Sequence, residues 1–163
     1  MKVVRFNDPN RYYLKAKPYL LEHEGTNCLI LGISNGLCHA ATQNANLPYL
    51  AVVEHNKTVE ATAIQTPPRK LILAKSHNLT AIKLIAQDFA TDAQSLPGVI
   101  APKAEARTFV NTWQRLTGQT SQLDFAMALH QLEQTKTVNN ASGCLKIAGA
   151  SDAVGYASQI AIY

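Results

Sequence analysis

Glycine is scarce in the middle of this 163-residue sequence, where none of its eight glycines falls between Gly36 and Gly98. Loops that wrap phosphate groups with backbone N–H groups depend on glycine, because side chains obstruct the close approach of the ligand. The middle of the chain therefore has no recognisable phosphate-binding loop. Charge is also sparse: 15 Lys and Arg against 11 Asp and Glu give a net +4, which does not predict nucleic-acid binding.

Cysteines and long apolar runs are few as well. Cys28, Cys38 and Cys144 are an odd number of thiols without metal-site spacing, and the first two are predicted to be packed thiols on one helix. Residues 1–20 lack the apolar core of a signal peptide. No apolar run approaches the ~20 residues that cross a bilayer. These observations favour a reduced, cytoplasmic protein without a membrane partner.

What the chain does contain is 47% hydrophobic residues, enough for one domain with a core. Two β-type runs, residues 59–65 and 71–74, flank Pro67-Pro68, which cannot donate hydrogen bonds to a sheet and so end the first run. The second run leads into Ser76-His77-Asn78 and a helical pattern. Helix N-termini attract anions, so a ligand site is expected first at this loop.

Periodicity along the chain predicts four helices and a mixed sheet. Asn7-Asp8 offers cap chemistry for a first helix that begins near Pro9. Pro18 is expected to kink or divide this helix, and Gly25-Thr26 is expected to end it and cap the second. Leu29, Ile33, Leu37 and Ala40 share the predicted apolar face of the second helix. Asn78 and Pro102 open the third and fourth helices, and Gly118 is the C-cap candidate of the fourth. Strands are predicted at residues 3–6, 49–53, 59–65, 71–74, 99–101 and 123–131, with 49–53 and 59–65 paired as an antiparallel hairpin.

This order, (β)ααβββαβαβ, and several short motifs resemble the GNAT superfamily of N-acetyltransferases. More narrowly, the chain resembles the N-terminal, degenerate domain of bacterial acetyltransferases that carry two such folds in tandem. The matching motifs, within residues 5–134, are Asn27-Cys28-Leu29-Ile30-Leu31-Gly32, Ala63-Ile64-Gln65-Thr66-Pro67-Pro68, Leu71-Ile72-Leu73, Leu96-Pro97-Gly98-Val99 and Phe109-x-x-x-Trp113.

The resemblance implies an α/β fold in which acyl-CoA enters between the fourth and fifth strands. Its pyrophosphate then lies on the N-terminus of the next helix, and the acetyl group passes to an amine. By position in that fold, the cofactor-binding residues are Leu73, Lys75, Ser76 and Asn78. Acetyl-CoA or CoA is therefore implied by the family alone, because the loop departs from the family's Arg/Gln-x-x-Gly-x-Gly/Ala pattern.

Catalytic residues are not assigned. Phe109 and Trp113 occupy the helix where the family carries a Tyr that protonates the leaving thiolate, and both fit a core better than a catalytic role. His23 and His77 have no partner at metal or triad spacing, so no metal site is predicted. The plainer interpretation of the loop is a helix cap at Asn78 beside an exposed Lys75.

The domain prediction is a GNAT-like domain over residues 1–134, a linker over 135–143 and a tail over 144–163. The tail resembles the first strand and helix of a second GNAT domain, and its apolar residues are expected to pack on this domain, a second copy or a partner chain. Three functions follow as hypotheses: a non-catalytic, scaffolding GNAT domain; a divergent N-acetyltransferase that uses Lys75; and an interaction module that docks through the tail and the Arg69-Lys70 corner.

Overall fold

The computed structural model describes residues 1–39, 47–91 and 96–136, with Gly143, Ile147 and 149–152. Contacts within the chain define two compact units, Met1–His130 and Gln131–Tyr163. In the described part of the second unit, Ala150–Asp152 forms a 3-10 turn in which the Gly149 amide donates to Asp152 Oδ2 at 3.0 Å. Of the strand predicted at residues 144–148 only Ile147 is described, and the helix predicted after Asp152 lies outside the described residues.

The first unit is a mixed α/β structure, which confirms the predicted class and the four predicted helices. Its elements in chain order are β1 (Lys2–Arg5), α1 (Pro9–Leu21), α2 (Glu24–His39), β2 (Tyr49–His55), β3 (Thr58–Gln65), β4 (Leu71–Leu73), α3 (Leu79–Ala90), β5 (Val99–Ile100) and α4 (Lys103–Thr117).

The five strands form one sheet in the order β1-β2-β3-β4-β5. The first three pairings are antiparallel, and β4 pairs in parallel with β5 through Leu71 with Val99 and Ile72 with Ile100. The predicted β2–β3 hairpin is confirmed, and its turn places Asn56 and Lys57 at φ 49° and 69°. Positive φ at both central residues is the geometry that fits the right-handed twist of hairpin strands.

Helices cover both faces of the sheet. Side chains of α1 and α2 pack on one face, around Tyr12, Leu20 and Ile30. Side chains of α3 and α4 pack on the other, around Phe89 and Phe109. Because both faces are covered, β2 carries a continuous buried run from Tyr49 to Val53 rather than an alternating pattern.

Cap residues in the sequence predict most of the helix ends correctly. The Asp8 side chain accepts from the Asn10 amide at 2.9 Å and caps α1, with Pro9 in the first turn. Asn78 caps α3 by accepting from the Thr80 amide at 3.1 Å. Gly118 ends α4 at φ 72°, the left-handed conformation that glycine adopts at helix C-termini.

Two predictions about the first helices are wrong. Of the two effects expected of Pro18, a kink or a division, the division is wrong, because α1 continues through it to Leu21, with Tyr12, Ala16, Tyr19 and Leu20 buried on its inner face. Gly25 and Thr26 lie inside α2, which begins at Glu24. The buried face of α2 carries Asn27, Ile30 and Ser34. Of the predicted face, Ile33 and Leu37 are half-buried against the core, whereas Leu29 is 44% exposed and Ala40 lies outside the described residues.

The final predicted strand, residues 123–131, is also wrong. These residues are described by the structure but join no ladder, and Leu123, Phe125, Met127 and Leu129 are 51–82% exposed. Alternation of apolar side chains indicates a segment that suits a half-buried strand, but pairing requires a neighbouring sheet edge that the pattern cannot supply.

Within the described residues, no helix combines the length and apolar character needed to span a membrane.

Candidate functional site

The loop between β4 and α3 is the segment at which the sequence predicts a ligand site. Leu73 is buried in the ladder opposite Ala63, so it contributes backbone and core rather than an exposed side chain. Lys75, Ser76 and Asn78 follow in the loop. The structure therefore keeps the four predicted residues together, and the hydrogen bonds of the loop show what each one does.

Each predicted loop residue makes hydrogen bonds inside the protein. The Lys75 amide donates to Asn27 Oδ1 at 3.0 Å, and the Ser76 amide donates to Glu105 Oε1 at 2.8 Å. The Asn78 amide donates to Ser76 Oγ at 3.1 Å, and the Ser76 hydroxyl in turn donates to the Glu60 carbonyl at 2.8 Å. Asn78 therefore caps α3, as the plainer interpretation of the loop predicts.

Glu105 is the residue at this site that sequence reasoning missed. It comes from the first turn of α4, and its side chain has no exposed surface. Its Oε1 accepts from the Ser76 amide and lies 3.6 Å from Lys75 Nζ, whereas Oε2 has no hydrogen-bond partner among the described residues. Its position in the first turn of a helix was visible in the sequence, but a glutamate there is usually solvated.

Two side chains hold the loop from the side of α1 and α2. The Tyr19 hydroxyl lies 2.7 Å from the Glu60 carbonyl oxygen and 2.8 Å from that of Lys75, so it bridges β3 and the loop. Burial raises the pKa of the Tyr19 phenol to about 12, with the nearby carboxyl groups of Glu22, Glu60 and Glu105 acting in the same direction. The buried Asn27 side chain donates to the Leu20 carbonyl while it accepts from the Lys75 amide.

A pair of histidines lies beside this network. His23 stands between α1 and α2, and His77 stands in the β4–α3 loop. Their Nε2 atoms are 3.4 Å apart, with ring centroids separated by 5.1 Å and planes inclined by 54°. Glu22 Oε2 lies 3.8 Å from His77 Nε2. Within the part of the chain that the structure describes, no group of three or more His, Cys, Asp or Glu side chains is arranged so that it could hold a metal ion.

Other candidate groups have ordinary structural partners. Glu54 pairs with Lys15 Nζ at 2.7 Å. The Lys70 ammonium pairs with Asp124 and lies 5.2 Å from the Phe125 ring centroid, so the predicted basic corner is partly neutralised. Cys28 is exposed, contrary to the prediction of a packed thiol.

The backbone amides of the loop between β4 and α3 determine whether the loop can bind an anion. Those of Lys75, Ser76, Asn78 and Thr80 all donate to side-chain oxygens of the chain itself. A phosphate group held by the same N–H groups would have to displace these acceptors. Lys75 Nζ remains the cation that an anionic cofactor would meet, since its side chain is 39% exposed.

These features define a mixed α/β domain in which the amides of the loop before α3 are hydrogen-bonded to side chains of the same chain. No protein family profile, curated protein or solved structure matches the chain.

Proposed function

We propose that this chain is a GNAT-like domain with no acyl transfer of its own, equivalent to the non-catalytic N-terminal half of a tandem acetyltransferase or to a shorter stand-alone form. Its role is to act as a scaffold for assembly. The element order β1-α1-α2-β2-β3-β4-α3-β5-α4 and the adjacency of β4 and β5 support the family part of this proposal, because the resemblance in the sequence implies both.

The observation that carries the non-catalytic part is the 2.8 Å hydrogen bond from the Ser76 amide to Glu105 Oε1. A buried carboxyl group that is ion-paired with Lys75 takes the place where the resemblance would put a cofactor phosphate. Two like charges ~4 Å apart repel by about 4 kcal/mol at an effective dielectric constant near 20. Glu105 thus competes with a pyrophosphate for both the amide and the lysine.

Titration of the chain with acetyl-CoA and with free CoA tests this proposal by calorimetry and thermal unfolding. We expect no binding heat and no change in Tm. A ligand at 100 times its Kd would instead add about 2.7 kcal/mol to the free energy of unfolding and raise Tm by roughly 5–10 °C.

Saturable binding of either ligand would overturn the proposal and favour the divergent N-acetyltransferase. In that case Lys75→Glu should weaken CoA binding, because it replaces the cation beside the loop with an acid. Lys83→Glu is the matched control, since Lys83 is an exposed lysine of α3.

The assembly part of the proposal rests on the apolar stripe formed by Leu123, Phe125, Met127 and Leu129. An exposed stripe of alternating apolar side chains without a sheet partner is typical of an interaction surface. The occupant we assign is a second copy of this chain, which offers the same unpaired segment and allows a self-complementary pairing.

Sedimentation velocity of the full chain and of a variant with all four stripe residues changed to serine tests the assembly. We expect a dimer for the original chain and a monomer for the variant. Ala126→Ser with Ala128→Ser, at the alternate exposed positions, is the matched control and should remain dimeric. A monomer before any substitution would contradict the assembly role.

A further inference from the structure

The apolar stripe at residues 123–129 has a backbone that is available for pairing. Its four apolar side chains are 51–82% exposed, and none of its residues belongs to a helix or a strand. Among the described residues, no backbone N–H or C=O group of this segment hydrogen-bonds to another backbone group. A segment with unpaired backbone groups and alternating apolar side chains is a template for pairing with another chain.

The first half of the stripe is positioned by contacts with the rest of the domain. Just before it, the Gln114 side-chain amide donates to the Ser121 hydroxyl at 3.0 Å. The Lys70 ammonium, at the start of β4, pairs with Asp124 and lies 5.2 Å from the Phe125 ring centroid. A segment that is already positioned loses less conformational freedom when it pairs.

The order of the side chains indicates how two copies of the stripe would pair. Its apolar residues lie one and three positions on either side of Ala126. Antiparallel pairing about a two-fold axis at Ala126 therefore places Leu123 opposite Leu129 of the second copy, and Phe125 opposite Met127. All eight apolar side chains then lie on one face as directly opposed pairs. An axis one residue further along would leave Leu123 opposite a glutamine.

The charge of Asp124 favours the antiparallel direction. Parallel pairing in register would place Asp124 opposite its own copy, and like charges that are directly opposite destabilise a strand pair. Antiparallel pairing about Ala126 places Asp124 opposite Ala128 instead. The two Asp124 residues are then four positions apart along the ribbon, about 14 Å at ~3.4 Å per residue. This distance exceeds the Debye length of about 8 Å at physiological ionic strength.

We propose that residues 123–129 of two copies of this chain pair as an antiparallel two-stranded ribbon about a two-fold axis at Ala126. This inference rests on the assembly part of the proposed function and adds which residues of the two copies meet. A two-fold contact uses the same segment of both copies, so the assembly closes as a dimer.

A charge-exchange experiment on the full chain tests which residues are opposed. Leu123→Glu and Leu129→Lys should each weaken the dimer by at least about tenfold in sedimentation equilibrium, because each places two charges opposite leucines in every dimer. The double variant should be at least about fivefold tighter than the two single losses combined predict, since each new carboxylate lies opposite a new ammonium. Leu123→Glu with Leu129→Glu is the matched control and should show no such recovery.

Disulfide formation tests the position of the two-fold axis. Directly opposed residues of an antiparallel pair have Cα atoms about 4.5–5.5 Å apart, within the roughly 4.4–6.8 Å that a disulfide spans. Ala126→Cys should therefore give a covalent dimer on mild oxidation, in excess of any that forms in the unchanged chain through the exposed Cys28. Ala128→Cys is the control and should not, because its two copies are four positions apart.

The outcomes separate this pairing from the proposed function. A dimer that is not weakened by Leu123→Glu, that shows no recovery in the double variant, or that cross-links equally through Ala126→Cys and Ala128→Cys would overturn the pairing and leave the assembly role in place. An unchanged chain that sediments as a monomer would overturn both.

Discussion

Glu105 Oε1 accepts a hydrogen bond from the Ser76 amide at 2.8 Å, and this one contact joins the first turn of α4 to the loop that precedes α3. The carboxyl group has no exposed surface, so water cannot replace it as the acceptor. The loop therefore depends on a side chain 29 residues further along the chain for its conformation.

Substitution of Glu105 should destabilise the fold in proportion to the hydrogen bonds lost. Glu105→Leu leaves the buried Ser76 amide without an acceptor, which costs about 1–3 kcal/mol. Glu105→Gln keeps an oxygen acceptor and should cost less. Urea unfolding of the two variants measures the difference, and equal stability of Glu105→Leu and the original chain would show that the contact does not hold the loop.

Tyr19 gives the fold a dependence on alkaline pH. The pKa of its phenol rises from the ordinary value of 10.0 to about 12 in the folded chain. A raised pKa means that the stabilising contribution of the neutral phenol is complete below about pH 10 and is lost as pH rises through about 12. We expect the free energy of unfolding to fall over that range.

Tyr19→Phe removes this titration and the hydroxyl's contacts with the Glu60 and Lys75 carbonyls. The variant should be less stable by about 0.5–1.5 kcal/mol at neutral pH. Its stability should also fall less steeply above about pH 10 than that of the original chain. Tyr13→Phe, at a partly exposed position on the same helix, is the control. Parallel stability curves for Tyr19→Phe and the original chain would contradict the assignment.

Features set by nearby residues were predictable from the sequence. The caps at Asp8 and Asn78, the αL residue at Gly118 and the β2–β3 hairpin depend on neighbours a few positions away, and all four predictions are confirmed. The loop before α3 was also found, because a strand that runs directly into a cap residue marks a helix N-terminus.

Features set by distant residues were not predictable. The His23–His77 pair joins residues 54 positions apart, and Glu105 meets Ser76 through the packing of α4 beside α3. The strand at 123–131 failed for a related reason, because a sheet partner is a property of the whole fold. Composition and periodicity carry no information about contacts between residues that are distant in the sequence.

The buried face of α2 shows the same limit within a single helix. Apolar residues surround much of α2, so its inner face could not be chosen by counting them. The structure buries Asn27 and Ser34 on that face because their side chains hydrogen-bond to the Leu20 and Ile30 carbonyls. Two neighbours therefore have opposite environments: Ile30 is 1% exposed and Leu29 is 44% exposed.

This orientation of α2 can be tested with adjacent substitutions. Ile30→Ala should lower the free energy of unfolding by about 2–4 kcal/mol, because it leaves a cavity in the core on the α1–α2 side. Leu29→Ala should cost less than about 1 kcal/mol, since much of that side chain already meets solvent. Denaturant unfolding of the two variants decides the matter, and a larger loss for Leu29→Ala would mean that the sequence-based face is correct.

The β2–β3 hairpin should gain stability from one substitution. Lys57 adopts φ 69°, a left-handed conformation that costs an ordinary residue roughly 1 kcal/mol because Cβ approaches its own carbonyl oxygen. Lys57→Gly removes that strain and creates the Asn-Gly pair favoured in two-residue hairpin turns. The Lys57 carbonyl, which accepts from Lys15 Nζ at 3.3 Å, is retained.

We expect Lys57→Gly to raise the free energy of unfolding by about 0.5–1 kcal/mol, after part of the gain is offset by the greater freedom of glycine in the unfolded chain. Lys57→Ala is the control, because it removes the same side chain but keeps Cβ and hence the strain. Thermal unfolding of the three proteins separates the two effects. If Lys57→Ala stabilised the chain as much as Lys57→Gly, the gain would come from loss of the lysine side chain and not from the backbone conformation of the turn.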